Sequence, residues 1–253
     1  MLTRLIAIVA LALLTGCRSD QTPAKPDLTI AAAANLTEAF GRVGKRFEAD
    51  TGIHPVFSFA STAQLTQQIE NAAPFDVFCA ADSEHVAELE QKGLLMEGSR
   101  AAYARGTLAL WIPESGKAAV QRIQDLTLPD VRVIAIAKPE LAPYGQASVD
   151  ALLKLGIWEK VKSKVVYAEN ISMAKQYGRS KNADAVFTAY SLVLHEGGKV
   201  IQVDEALHKP IVQELGIVAK SNRQDAAKKF VKFLLNGPGK TILRGYGYQS
   251  PTP

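Results

Sequence analysis

Four short stretches of this chain bring hydroxyl, amide and backbone donors to places where an apolar run gives way to a helix. They are residues 30–40 (IAAAANLTEAF), 59–65 (FASTAQL), 139–147 (PELAPYGQA) and 168–175 (AENISMAK). The first turn of a helix leaves N–H groups without intrahelical acceptors, and the helix dipole adds partial positive charge there. Such a terminus suits an anion, and a small tetrahedral oxyanion needs several donors around it. The donors on offer are the side-chain amide and N–H of Asn35, the hydroxyls and N–H groups of Ser61 and Thr62, the phenol and N–H of Tyr144, and the N–H of Ile171. Pro143 fixes its own φ and stiffens the approach to Tyr144. No Lys or Arg stands beside these donors, although Lys138 and Lys175 are near in sequence, so dipoles would meet the ligand's charge. Any one stretch alone reads as an ordinary helix cap. Their recurrence is what points to a shared anion site.

The elements that must carry these stretches alternate between strand and helix. Residues 28–33 form a short apolar run expected of a strand covered on both faces, and Leu36, Phe40, Val43 and Phe47 follow at helical spacing until Thr51-Gly52. The unit repeats: residues 55–59 are β-prone, Ser61-Thr62 can cap a helix, 76–81 is a third strand, and Asp82 or Ser83 caps a helix closed by Gly93. Further strands are predicted at 107–112, 131–137, 165–167, 185–188 and 200–203, with helices at 144–155 and 171–177. A long extended run at 211–219 precedes Ser221 as a cap and a helix with Ala227, Phe230, Val231 and Leu234. Alternation of this kind calls for parallel sheets covered by helices, α/β in class. Two αβ units joined by the runs 107–112 and 211–219 suggest two lobes with a cleft at the strand C-termini. The expected division is 28–107 for lobe 1, 108–216 for lobe 2 and 217–253 for the return to lobe 1.

Residues 1–16 (MLTRLIAIVALALLTG) read as a secretory signal too short to span a membrane in the mature protein. Residues 14–17, LTGC, resemble the lipobox of bacterial lipoproteins, which implies cleavage before Cys17, a lipid on its thiol and a polar tether over 17–27. Cys79 is the one other cysteine, and inside FDVFCAAD it reads as a small buried hydrophobe. The four histidines show no metal-ligand spacing, so no metal site and no cofactor are expected. The 29 basic and 25 acidic residues are interspersed, which argues against a nucleic-acid face.

Taken together, AAAANLTEAF at 31–40, the 25 residues from Ser58 to Asp82, KPELAPYGQASVDALLKLGIWEKV at 138–161, AENIS at 168–172 and NGPGKTILRGYGY at 236–248 resemble the periplasmic molybdate-binding proteins of molybdate ABC transporters. The resemblance implies a two-lobed type II periplasmic binding protein fold with mixed, mostly parallel sheets, closing on its ligand by a hinge motion. It places oxyanion donors on Asn35, on Ser61 or Thr62, and on the backbone N–H groups of Tyr144 and Ile171. A fifth donor falls at AVFTAYSL, where Thr188 matches by position and Tyr190 by residue type. The function it implies is a monomeric, lipid-anchored extracytoplasmic receptor that binds molybdate or tungstate, catalyses nothing, and passes the anion to an ABC permease. Two alternatives are weighed against it. A receptor for phosphate would need an acceptor aimed at the anion's proton, with Glu140 and Glu169 the nearest carboxylates, and one for an organic acid would need an Arg; sulfate is the other candidate. An enzyme on the same scaffold would need a reactive group such as the Cys79 thiol.

Overall fold

The computed structural model describes residues 27–114 and 119–251. The signal, Cys17 and all of the tether before Asp27 lie outside the described residues. From Asp27 the chain runs β1 (Asp27–Ala33), α1 (Thr37–Thr51), β2 (His54–Ala60), α2 (Thr62–Glu70), β3 (Val77–Cys79), α3 (Glu84–Gln91) and β4 (Ala101–Gly106). It continues with β5 (Leu108–Ile112), β6 (Ile134–Ala137), α4 (Pro143–Lys154), α5 (Trp158–Val161), β7 (Val165–Ala168), α6 (Ile171–Arg179), β8 (Ala185–Ala189), α7 (Tyr190–Val193) and β9 (Lys199–Gln202). It ends with β10 (Ile211–Ile217), α8 (Gln224–Asn236) and α9 (Pro238–Gly245).

The strands form two five-stranded sheets of matching order, β2-β1-β3-β10-β4 in lobe 1 and β7-β6-β8-β5-β9 in lobe 2. In each sheet the fourth strand runs against its neighbours: β10 is antiparallel to β3 and β4, and β5 to β8 and β9. The remaining strands of each sheet share one direction. The reversed strand is in each case the one that has just crossed from the other lobe. It enters from the cleft side and runs away from it, whereas β1, β2, β6 and β7 deliver their C-termini to the cleft.

The crossings are Thr107, between β4 and β5, and residues 203–210, between β9 and β10. All of β10 therefore pairs in the lobe 1 sheet, so the return to lobe 1 comes before Ile211 and not after Gly216. The extended run 211–219 read as a linker because its composition does not tell a crossing from a paired strand; the crossing itself lies in 203–210, which Pro210 closes. The sequence also left β4 unassigned: AAYARG is rich in alanine and has no β-branched residue, and as an edge strand it pairs in the sheet only with β10.

Side-chain alternation explains the layers. Along β1, Ile30 and Ala32 face one core cluster and Ala31 the other, so both faces are covered. The apolar stripe of α1 packs on α8, with the Phe47 and Phe230 rings 5.2 Å apart and Phe40 and Phe230 6.0 Å apart. This returns the C-terminal helices to lobe 1. Gly52 ends α1 in the left-handed conformation at φ 73°, which a side chain would strain. Ser221 lies three residues before α8 and is not its N-cap; its hydroxyl donates to Asp76 Oδ1 at 2.7 Å and accepts the Arg223 N–H at 3.0 Å.

Candidate anion-binding site

Helix starts from both lobes meet at one small cavity. Its walls are Ala33, Ala34, Asn35, Ser61, Thr62, Ala81, Ala142, Pro143, Tyr144 and Ile171. None of these ten residues is charged. Asn35, Ser61, Thr62, Tyr144 and Ile171 are all buried, so whatever they bind is taken out of water.

The local geometry decides which donors remain available. Ala142 is the N-cap of α4 and Pro143 has no N–H, so Tyr144 supplies the first N–H of that helix, with no intrahelical acceptor. Ile171 opens α6 in the same way, behind Asn170, whose side chain caps Met173 N at 2.9 Å. At the start of α2, Thr62 Oγ1 accepts the Ala81 N–H at 3.1 Å and keeps its own proton to donate. Ser61 donates its hydroxyl to Gln64 Oε1 at 2.8 Å, and that oxygen also accepts the Ser61 N–H at 3.3 Å. The Ser61 hydroxyl is therefore engaged in closing the helix start.

Asn35 differs from the expectation. Its Nδ2 donates to Gln213 Oε1 and to Tyr248 Oη, each at 2.9 Å, so both amide protons are used behind the cavity wall. What Asn35 offers the cavity is its backbone N–H, in the single 3-10 turn Ala34–Leu36 that leads into α1. The network continues: Gln213 Nε2 donates to the Tyr144 phenol at 2.9 Å, Tyr103 Oη lies 2.9 Å from Gln213 Oε1, and Tyr248 Oη donates to Asn35 O at 2.8 Å. Ser191 Oγ from lobe 2 joins it at 3.1 Å from Asn35 O. Burial pushes the phenols of Tyr103, Tyr144 and Tyr248 well above their ordinary pKa, so they remain protonated. The Tyr144 phenol thus anchors the first turn of α4 rather than facing the ligand.

Gln213, Tyr248, Ser191 and Tyr103 were not singled out from the sequence. Gln213 carried a signal, since a Gln inside the apolar run IVQELGI that is fully buried must find partners. Tyr248 lies in GYGY, where nothing local distinguishes a network phenol from a surface ring.

Thr188 and Tyr190 do not line the cavity. Thr188 is fully buried on the face of β8 that carries Val186, with no hydrogen-bond partner for its hydroxyl. Tyr190 starts α7, donates its N–H to Thr107 O at 2.9 Å and presents its ring to Gly247. Both carboxylates considered for a proton acceptor lie outside the walls: Glu169 pairs with Lys138, and Glu140 borders an adjoining cleft that shares Ala81, Ala142 and Pro143 with the cavity. Cys79 is fully buried in β3, and burial raises its thiol pKa far beyond any reactive range. Among the described residues no group of three or more His, Cys, Asp or Glu could hold a metal ion.

The lobes touch across the cleft. Ala63 N–H donates to Leu141 O at 3.2 Å, Ser172 Oγ donates to Ala34 O at 2.9 Å, and Lys175 Nζ of α6 reaches Glu38 of α1 at 3.2 Å. Strands of one direction thus bring helix starts from both lobes around a small cavity whose walls carry no charged side chain. A family profile described as bacterial extracellular solute-binding protein matches residues 28–249. The chain belongs to that family. As a member of this solute-binding family it is 36% identical over 226 residues to the molybdate-binding protein ModA of Azotobacter vinelandii, covering 88% of this chain and 89% of that protein. Rhodobacter capsulatus ModA is also 36% identical, over 244 residues and 94% of each chain. Among solved structures, the Azotobacter vinelandii periplasmic molybdate-binding protein superposes with a TM-score of 0.83 at 28% identity, over 89% of this chain and all of that one. The sulfate-binding protein SubI of Mycobacterium tuberculosis, at 14% identity and a TM-score of 0.76 over 90% of this chain and 88% of its own, shares the fold alone.

Proposed function

We propose that this solute-binding protein is an extracytoplasmic receptor that captures molybdate, with tungstate as an equivalent ligand, and delivers it to the membrane subunits of an ABC permease. The observation that carries this reading is the meeting of helix starts from both lobes around one cavity lined by no charged side chain. The ligand donors are the N–H groups of Asn35, Thr62, Tyr144 and Ile171 and the Thr62 hydroxyl, with Ser61 holding the α2 start in place. Molybdate is fully ionised at neutral pH and needs only donors. Phosphate carries a proton there and wants an acceptor, and no carboxylate lines the walls. Sulfate has shorter bonds to oxygen, so donors fixed for the larger anion leave its hydrogen bonds long. No bond is made or broken; the relatives are named for binding, and the buried Cys79 is no nucleophile.

A thermal-shift series tests this, because a ligand that binds only the folded state must stabilise it. Molybdate and tungstate are expected to raise the melting temperature strongly, and sulfate and phosphate little. A sulfate or phosphate response exceeding that of molybdate overturns the assignment. In the same proposal Cys17 carries a lipid that holds a monomeric receptor on the outer face of the cell membrane. Mass spectrometry of the mature N-terminus, with Cys17→Ser as control, reads the lipid directly.

A further inference from the structure

The C-terminal helices carry a dense run of basic residues. Residues 220–245 hold seven Lys and Arg against one acid, Asp225, whereas the whole chain carries a formal +4, so the remainder is net acidic. On α8, Lys228, Lys229 and Lys232 are exposed at helical spacing, away from the buried Ala227, Phe230, Phe233 and Leu234. Lys240 and Arg244 lie four residues apart on α9, which packs on α8 and α1. Some cations elsewhere are paired, Lys92 with Glu70 and Glu88 and Arg100 with Glu90 and Glu214. Among the described residues the seven cations of 220–245 form no ion pair. Beside the stripe, α8 and the 96–99 turn bound a groove of about 380 Å³ with Met96, Val231 and Leu235 half-buried in it and Lys228, Lys232 and Glu97 along it.

The start of this face, the turn before α8, sits at the end of lobe 1 where the described chain begins, whereas α9 runs back toward the cavity, Arg244 lying four residues before the Tyr248 that bonds Asn35. Asp76 accepts the Thr29 N–H at 2.8 Å and the Ser221 hydroxyl at 2.7 Å, which brings the turn bearing Lys220 and Arg223 beside the start of β1. Cys17 precedes Asp27 by ten residues, a reach of at most about 35 Å from a lipid anchor. The anion cavity lies at the opposite end of β1, a strand of seven residues. At roughly 3.3 Å per residue that end is about 23 Å away, close to three Debye lengths at physiological ionic strength.

We propose that this basic face docks lobe 1 on the anionic phospholipid headgroups of the membrane. Cations without partners beside a partly apolar groove match a surface of phosphates over acyl chains. The surface is separate from the cavity, so the proposal stands or falls independently of which anion is bound.

The test uses residues 27–253, which contain both sheets and every described core residue, so that no lipid or leader contributes. Cosedimentation with vesicles of mixed phosphatidylglycerol and phosphatidylcholine is compared with vesicles of phosphatidylcholine alone. Binding is expected only to the anionic vesicles and is expected to fall as salt rises. The triple variant Lys228→Glu, Lys229→Glu, Lys232→Glu is expected to bind them about a hundredfold more weakly. Its thermal response to molybdate should match that of the parent, which establishes that it is folded. Equal binding to neutral vesicles, undiminished binding by the triple variant, or displacement by low millimolar glycerol phosphate overturns the proposal.

Discussion

The Lys175–Glu38 contact is a latch across the cleft, and breaking it tests whether lobe closure contributes to affinity. Lys175 is 7% exposed and lies 2.8 Å from Glu196 in its own lobe and 3.2 Å from Glu38 in the other, while the Glu38 side chain is 49% exposed. Only the Glu38 contact depends on closure. With one partner half in water, solvent screening holds its worth to about 0.5–1 kcal/mol. Apparent affinity scales with the fraction of protein that can hold the closed state, so in a protein mostly open without ligand this is about a two- to fivefold change in Kd. Lys175→Met also breaks the pair within lobe 2, so the cross-cleft share must be isolated by a double-mutant cycle with Glu38→Gln. Calorimetric titration of the four proteins with molybdate is expected to give a coupling of that size, and stopped-flow should place it in a faster off-rate. Effects on Kd that simply add, with no coupling, refute the latch.

Thr62→Val removes the hydroxyl that faces the cavity and the acceptor of the Ala81 N–H, so molybdate affinity should fall at least about tenfold by titration. Tyr144→Phe leaves the backbone donor and deletes the phenol bonded to Gln213; urea unfolding should show a loss of about 1 kcal/mol while the molybdate response is retained. Thr188→Val replaces a fully buried hydroxyl that has no partner, so stability should rise by about 1 kcal/mol with molybdate affinity unchanged; a loss of affinity would restore Thr188 as a ligand donor. His85 pairs with Asp82 at 2.7 Å, and this hydrogen bond first, then the charge of Asp82, raises the His85 pKa against the opposing effect of burial. A raised folded-state pKa stabilises below the unfolded value of about 6.5 and loses that contribution as pH climbs through the folded value. Urea titrations should therefore find His85→Gln more destabilising near about pH 5 than near about pH 8.5.

How much of this was legible in advance differs by kind of feature. Elements whose pattern is local were readable: the stripe of α1 and its stop at Gly52, Pro143 opening α4, and the donors at four strand-to-helix junctions each follow from a few adjacent residues. Strand β4 and the true start of the return to lobe 1 were not, because an edge strand and a crossing strand are defined by their partners and not by their own composition.

The same division holds at the site. The sequence by itself determined that helix starts with free N–H groups recur, since that depends only on caps and periodicity. Only the tertiary structure decided which donors remain to share. Gln213 and Tyr248 reach Asn35 from positions more than 170 residues away in the chain and take both of its amide protons. Thr188, equivalent by sequence position, is turned into the sheet, because a strand sends alternate side chains to opposite faces and packing of the whole lobe selects the face. A hydrogen-bond donor can be counted from sequence, but whether it is already engaged depends on residues that only folding brings near.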